Sequence, residues 1–132
     1  MPENYSAIRK DSDKDGYGGV AIIHKNDLVV SELKCNNGLE MVAAKIQCQG
    51  RKPVIFCSAY RRPKSSLEYS EQLCQQIKEL ERKHQGCALW IGGDFNLPDI
   101  DWTKHTVTGH QYLRGINDTI LDTVNYATWN KL

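Results

Sequence analysis

No apolar run in this chain approaches the roughly 20 residues that a membrane-spanning helix needs. The opening Met1-Pro2-Glu3-Asn4 is polar where a secretory leader would be basic and then apolar. These absences predict an intracellular protein, nuclear or cytoplasmic, without a membrane partner. No C-x-x-C pair occurs among Cys35, Cys48, Cys57, Cys74 and Cys87, so zinc-binding spacing is missing. An odd count of cysteines also makes a poor disulfide framework, and three of them fall inside apolar runs, where a free thiol acts as a small hydrophobe. No internal repeat or linker interrupts the chain. An excess of either charge is lacking too: the net charge is +1 over 132 residues, too small to announce a nucleic-acid or membrane partner.

The distribution of charge says more. Between Glu40 and Glu68 there is no acid, while Lys45, Arg51, Lys52, Arg61, Arg62 and Lys64 all fall in that stretch. A one-sided basic segment suits a phosphate backbone, and equally a solvated loop and strand rim. With 40% hydrophobic and 25% charged residues, a disordered, collagen-like or low-complexity chain is excluded. The length predicts one unit covering residues 1–132.

After a polar lead over residues 1–17, the pattern predicts strands at 19–24, 28–33, 39–48 and 54–60, with turns at Asn26-Asp27 and Asn36-Asn37-Gly38. The third carries Val42, Ala44 and Ile46 on one face and Leu39, Met41 and Ala43 on the other. Such closely spaced runs predict a largely antiparallel sheet. Ser65 three residues before Glu68 predicts a capping box. Leu73, Ile77, Leu80 and His84 then form one stripe on a helix of about 17 residues, stopped by Gly86. His84 reads as a residue favoured at the helix C-terminus, not as a catalyst. The continuous apolar run Cys87–Ile91 predicts a strand covered on both faces, and residues 116–126 a weaker second helix. The order β-β-β-β-α-β predicts an α/β sandwich. Asp11, Asp13, Asp15 and Gly16 match the first half of a calcium loop, but Ile22 stands where the bidentate Glu belongs, so calcium binding is not predicted.

The chemistry-bearing segment is Gly92-Gly93-Asp94-Phe95-Asn96, directly after the most apolar run. Alternation along an extended chain turns Asp94 and Asn96 one way and Phe95 into the core. The two glycines permit close approach of another backbone or a substrate. A carboxylate and a carboxamide so placed suit phosphodiester chemistry. The Asp can hold or deprotonate an attacking water, the Asn can donate to oxygens gathering charge, and a divalent ion would supply further stabilisation. An Asx-type turn that merely closes the strand is the competing reading of the same residues.

The run Leu89 to Trp102, L-W-I-G-G-D-F-N-L-P-D-I-D-W, resembles the G-D-F-N segment of the endonuclease/exonuclease/phosphatase superfamily. In its longer form it is most similar to the endonuclease domains of non-LTR (LINE-type) retrotransposons. Arg9-Lys10-Asp11 with Gly18-Gly19-Val20-Ala21-Ile22 resembles that family's R-K-D…G-G-V-A-I, Leu39-Glu40 its strand-opening L-E, and Tyr60-Arg61-Arg62-Pro63 its Y-R-P segment. The resemblance covers about residues 8–126. It implies an α/β fold of the four-layered sandwich type, present in part, and cleavage of phosphate esters with Mg2+ or Mn2+. No cofactor follows from the residues alone. It implies that Asp94 orients or activates water and that Asn96 binds phosphate, with both beside the metal. Tyr60 would contact the scissile phosphate, and Arg61, Arg62 and Lys64 would hold a DNA, or RNA, backbone. A reverse transcriptase domain would be the covalent partner.

The family's first-strand Asn and metal-binding Glu precede its R-K-D segment, and its Ser-Asp-His segment does not occur in this sequence. The resemblance therefore implies a chain cut at both ends, a partly exposed apolar interior prone to aggregation, and negligible magnesium-dependent cleavage by this chain alone. His105 and His110 do not match the family's His, and Asp99 and Asp101 have no metal role in it. Whether the chain is an enzyme stays open at this point. Another superfamily branch, a repair nuclease or phosphatase, and a non-catalytic nucleic-acid-binding or scaffold remnant are the alternatives.

Overall fold

In a computed structural model the described residues are 2–12, 18–96, 100, 101, 104, 106 and 107. The strands are β1 (Tyr5–Lys10), β2 (Val20–Lys25), β3 (Val30–Leu33), β4 (Glu40–Ile46), β5 (Val54–Tyr60) and β6 (Ala88–Asp94), with α1 (Leu67–Lys83) between β5 and β6. Two short strands, β7 (Ile100–Asp101) and β8 (Thr106–Val107), pair with each other. The protein is mixed α/β, as the pattern predicts.

The main sheet runs β3-β4-β5-β6. Its first three strands are antiparallel neighbours, whereas β5 and β6 are parallel. A parallel pair needs a crossover, and α1 supplies it. Leu73, Ile77 and Leu80 on α1 pack against Leu39, Met41, Ala43, Ile55, Cys57, Ala59 and Leu89 of the sheet. The opposite face of β4 is buried too, at Val42 and Ala44, because the β1–β2 hairpin lies against β4 and β5. Both faces of β4 are therefore covered over Met41–Ala44, which explains the apolar run there. Burial pushes the Cys57 thiol up to about 12, so it fills space as an inert neutral group.

β1 was not legible in the polar lead. Its inward positions are Ile8 and Lys10, and the Lys10 Nζ donates to the carbonyls of Asn37 and Leu39 at 2.7 and 2.6 Å. Pairing with β2, not an apolar face, makes it a strand. The second predicted strand begins later than expected: Leu28 and Val29 are exposed, and the Leu28 N–H closes a turn onto the Lys25 carbonyl. At α1 the cap is Ser66, not Ser65: Ser66 Oγ accepts from the Tyr69 N–H at 3.1 Å. Ser65 instead donates to the Arg62 carbonyl at 2.7 Å and belongs to the preceding turn. The helix has the 17 residues expected, with His84 as its C-cap. Residues 13–16 of the calcium-loop match and the helix expected at 116–126 lie outside the described residues.

Candidate phosphate site

Strand register assembles the site. Glu40 stands opposite Tyr60 across the antiparallel β4–β5 pair, and Tyr60 stands opposite Asp94 across the parallel β5–β6 pair. Adjacent strands lie about 4.8 Å apart, so these three residues form one row at a single end of the sheet. The close fit of β6 to β5 depends on Gly93, whose φ is +153° and where a Cβ would stand 1.9 Å from the Ala59 carbonyl oxygen.

Asp94 ends its strand in an Asx turn: Oδ1 accepts the Asn96 N–H at 3.1 Å. Asp94 is exposed, and among the described residues no hydrogen bond engages its second carboxylate oxygen. Asn96 adopts φ 51°, a left-handed conformation that asparagine tolerates better than most side chains. Its Nδ2 donates to the Arg61 carbonyl at 2.7 Å, and the Arg61 N–H donates to the Asp94 carbonyl at 2.9 Å. The two loops beyond β5 and β6 are thus laced together. Phe95 points into the core, as alternation predicts, at 8% exposure.

The three basic residues separate. Arg61 is 3% exposed, and its guanidinium faces inward. Nε donates to Ser70 Oγ at 2.8 Å, Nη1 to the carbonyls of Phe95 and Asn96 at 3.4 and 3.5 Å, and Nη2 to the Ser65 carbonyl at 3.4 Å. Burial lowers its pKa from the ordinary value. This placement corrects the expectation that Arg61 holds a substrate backbone: it holds the Asp94–Asn96 turn and the start of α1. Arg62 pairs with Glu40 at 2.8 Å and has its guanidinium carbon 5.8 Å from the Tyr60 ring centroid. The hydrogen bond to Glu40 raises its pKa. Lys64 alone of the three is exposed. It sits at φ 60° in the turn closed by the Ser65 N–H on the Arg62 carbonyl at 3.2 Å.

Sequence reasoning gave Glu40 no role beyond opening a strand, and missed Tyr69. The Tyr69 hydroxyl accepts the Glu40 N–H and donates to the Tyr60 carbonyl, both at 2.9 Å. Burial raises its pKa. The signal was there in part: an aromatic with a polar tip, in the first turn of a helix packed on the sheet. Asp99, His105 and His110 lie outside the described residues. Among the described residues no three His, Cys, Asp or Glu side chains cluster as a metal cage. A groove lined by Leu33, Cys35, Asn36, Gln76 and Leu80 lies elsewhere and shares none of the candidate residues. No described helix is long and apolar enough to cross a membrane.

No family model and no curated protein matches the chain. Among solved structures it is similar to truncated Caenorhabditis elegans TDP2, with a TM-score of 0.45 and 20% identity over 72% of this chain. The chain spans 41% of that chain's length. At that level of likeness the functional reading stands on this chain's own residues.

Proposed function

We propose that the chain is part of a divalent-metal-dependent phosphodiesterase domain of the endonuclease/exonuclease/phosphatase kind, acting on a nucleic-acid backbone. The observation that carries this reading is the row formed by Tyr60 and Asp94 at one sheet end, with Asn96 turned back beside them. The run from Leu89 to Trp102 supports the narrower proposal of a LINE-type endonuclease with DNA as substrate and a reverse transcriptase as its linked partner. A reading frame that continues into one would bear this out, and a host gene without one would contradict it.

Asp94 and Asn96 are hard oxygen donors, and Mg2+ ordinarily takes only one or two carboxylates with water and substrate phosphate. The exposed Asp94 carboxylate, with one oxygen outside the Asx turn, fits that sparse mode. Asp94 and the Asn96 carboxamide oxygen would hold the ion. Such an ion supplies Lewis acidity at the phosphoryl group and acidifies water. The protein's own residues do the rest. Asp94 accepts a hydrogen bond from the attacking water and orients it. The Tyr60 phenol donates to a phosphoryl oxygen. Lys64 brings a cation to the flanking backbone. Arg61 fixes the turn from behind, so that neither Asp94 nor Asn96 has to be ordered when substrate arrives.

Binding of a labelled DNA duplex in EDTA and in Mg2+, at matched ionic strength, tests the reading. Without metal the Asp94 carboxylate repels phosphate, so Asp94→Ala binds more tightly than the parent. With Mg2+ the parent gains several-fold in affinity and the variant does not. An identical Mg2+ response in both proteins would contradict the proposal.

A further inference from the structure

Arg62 and Glu40 belong to segments far apart in sequence, yet they meet beside Tyr60. Arg62 Nε and Nη2 both donate to Glu40 Oε1, at 3.1 and 2.8 Å. The Ser12 hydroxyl donates to the same oxygen at 3.3 Å and accepts from Arg62 Nη2. Gly18 closes over the cluster with φ +90°, and a Cβ there would stand 3.3 Å from Arg62 Nη2 and 3.5 Å from both Glu40 Oε2 and Tyr60 Cε1. A side chain at that point would hold a strained backbone and press Arg62 Nη2 aside by a few tenths of an ångström. Glu40 is the more enclosed partner, 17% exposed against 35% for Arg62, and among the described residues its buried Oε2 has no hydrogen-bond partner. A carboxylate kept at that cost of desolvation points to a task at this position.

We infer that Glu40 and Arg62 are positioning residues for Tyr60: the carboxylate fixes the guanidinium over the phenol ring, and the ring is thereby held level with Asp94. The inference rests on the reading of Tyr60 as a phosphate-facing group, and it reverses the role that sequence suggested for Arg62. Two directional hydrogen bonds and the planar cation over the ring define one geometry. A lysine has the charge but not the fork, so it cannot serve both partners. With its charge matched by Glu40, Arg62 adds no counterion release when a backbone binds.

The test uses the Tyr60 ring signal of tyrosine-labelled protein in NMR, without DNA or metal, in Glu40→Gln, Arg62→Lys and Arg62→Met. The Tyr60 signal shifts and broadens in all three, and Arg62→Lys gives no rescue. The Tyr5 ring, at the far end of β1 from this cluster, holds its position, and a retained cooperative thermal transition reports an intact fold. In duplex titrations the slope of log K against log salt is the same in Arg62→Met and the parent. The inference is overturned by a Tyr60 signal that ignores all three substitutions, or by a slope about 0.9 shallower in Arg62→Met, the loss of one phosphate contact. Because the ring signal is read without metal or DNA, it fails or holds independently of the Mg2+ response that tests the function itself.

Discussion

Lys64 carries strain and charge at one position. A side chain with φ near 60° costs about 1–2 kcal/mol relative to right-handed backbone, and glycine avoids it at some entropic loss. Lys64→Gly is therefore expected to stabilise the fold by about 0.5–1 kcal/mol while weakening duplex binding and making its salt slope about 0.9 shallower. Thermal melts and salt titrations check the two halves, and a destabilised variant would contradict the first. Three basic residues within one short segment look alike in sequence, yet each does something different. Arg61 is buried by the helix it anchors, Arg62 is taken by an acid from another strand, and only Lys64 stays in solvent. Those fates depend on contacts made by Ser70, Phe95 and Glu40, which no local pattern specifies. The inward placing of Phe95 was legible from strand alternation, whereas Asn96 lies past the end of β6 at φ 51°, where alternation no longer applies and the turn chemistry of asparagine takes over.

At the scale of elements, the pair of glycines before Asp94 divides into one that packing requires and one that it does not. A Cβ at Gly93 would collide with the Ala59 carbonyl, whereas one at Gly92 would meet nothing within 4 Å. Gly93→Ala is expected to destabilise by about 3 kcal/mol or more and Gly92→Ala to stay within about 0.5 kcal/mol. Chemical denaturation of the two variants decides it, and equal effects would contradict the strand pairing described. The helix was readable from its stripe, and its cap was misplaced by one residue because Ser65 and Ser66 have the same chemistry. The choice falls to Ser66 because the Arg62–Ser65 turn uses the first serine. β1 was unreadable for a related reason: a strand whose inward positions are one isoleucine and one lysine has no periodic signal of its own.

In the whole molecule, the hairpin on one face of the main sheet and α1 on the other make β4 and β5 its most enclosed strands. The parallel β5–β6 pairing that follows from the crossover helix sends both strands toward the same end. There the chain emerges as the Tyr60–Lys64 and Asp94–Asn96 loops. Alternation and the apolar runs marked β2, β4, β5 and β6 and the α/β class, but not that a single parallel pair would align Tyr60 with Asp94. Register is a long-range property. We propose that this sheet end receives a phosphate backbone. Mapping of backbone amides by NMR on titrating a short DNA duplex in Mg2+ tests it most directly. The largest shifts are expected at Tyr60–Lys64 and Asp94–Asn96. Shifts centred instead on the exposed side of α1 or the Arg51–Lys52 turn, with those two loops unmoved, would contradict it.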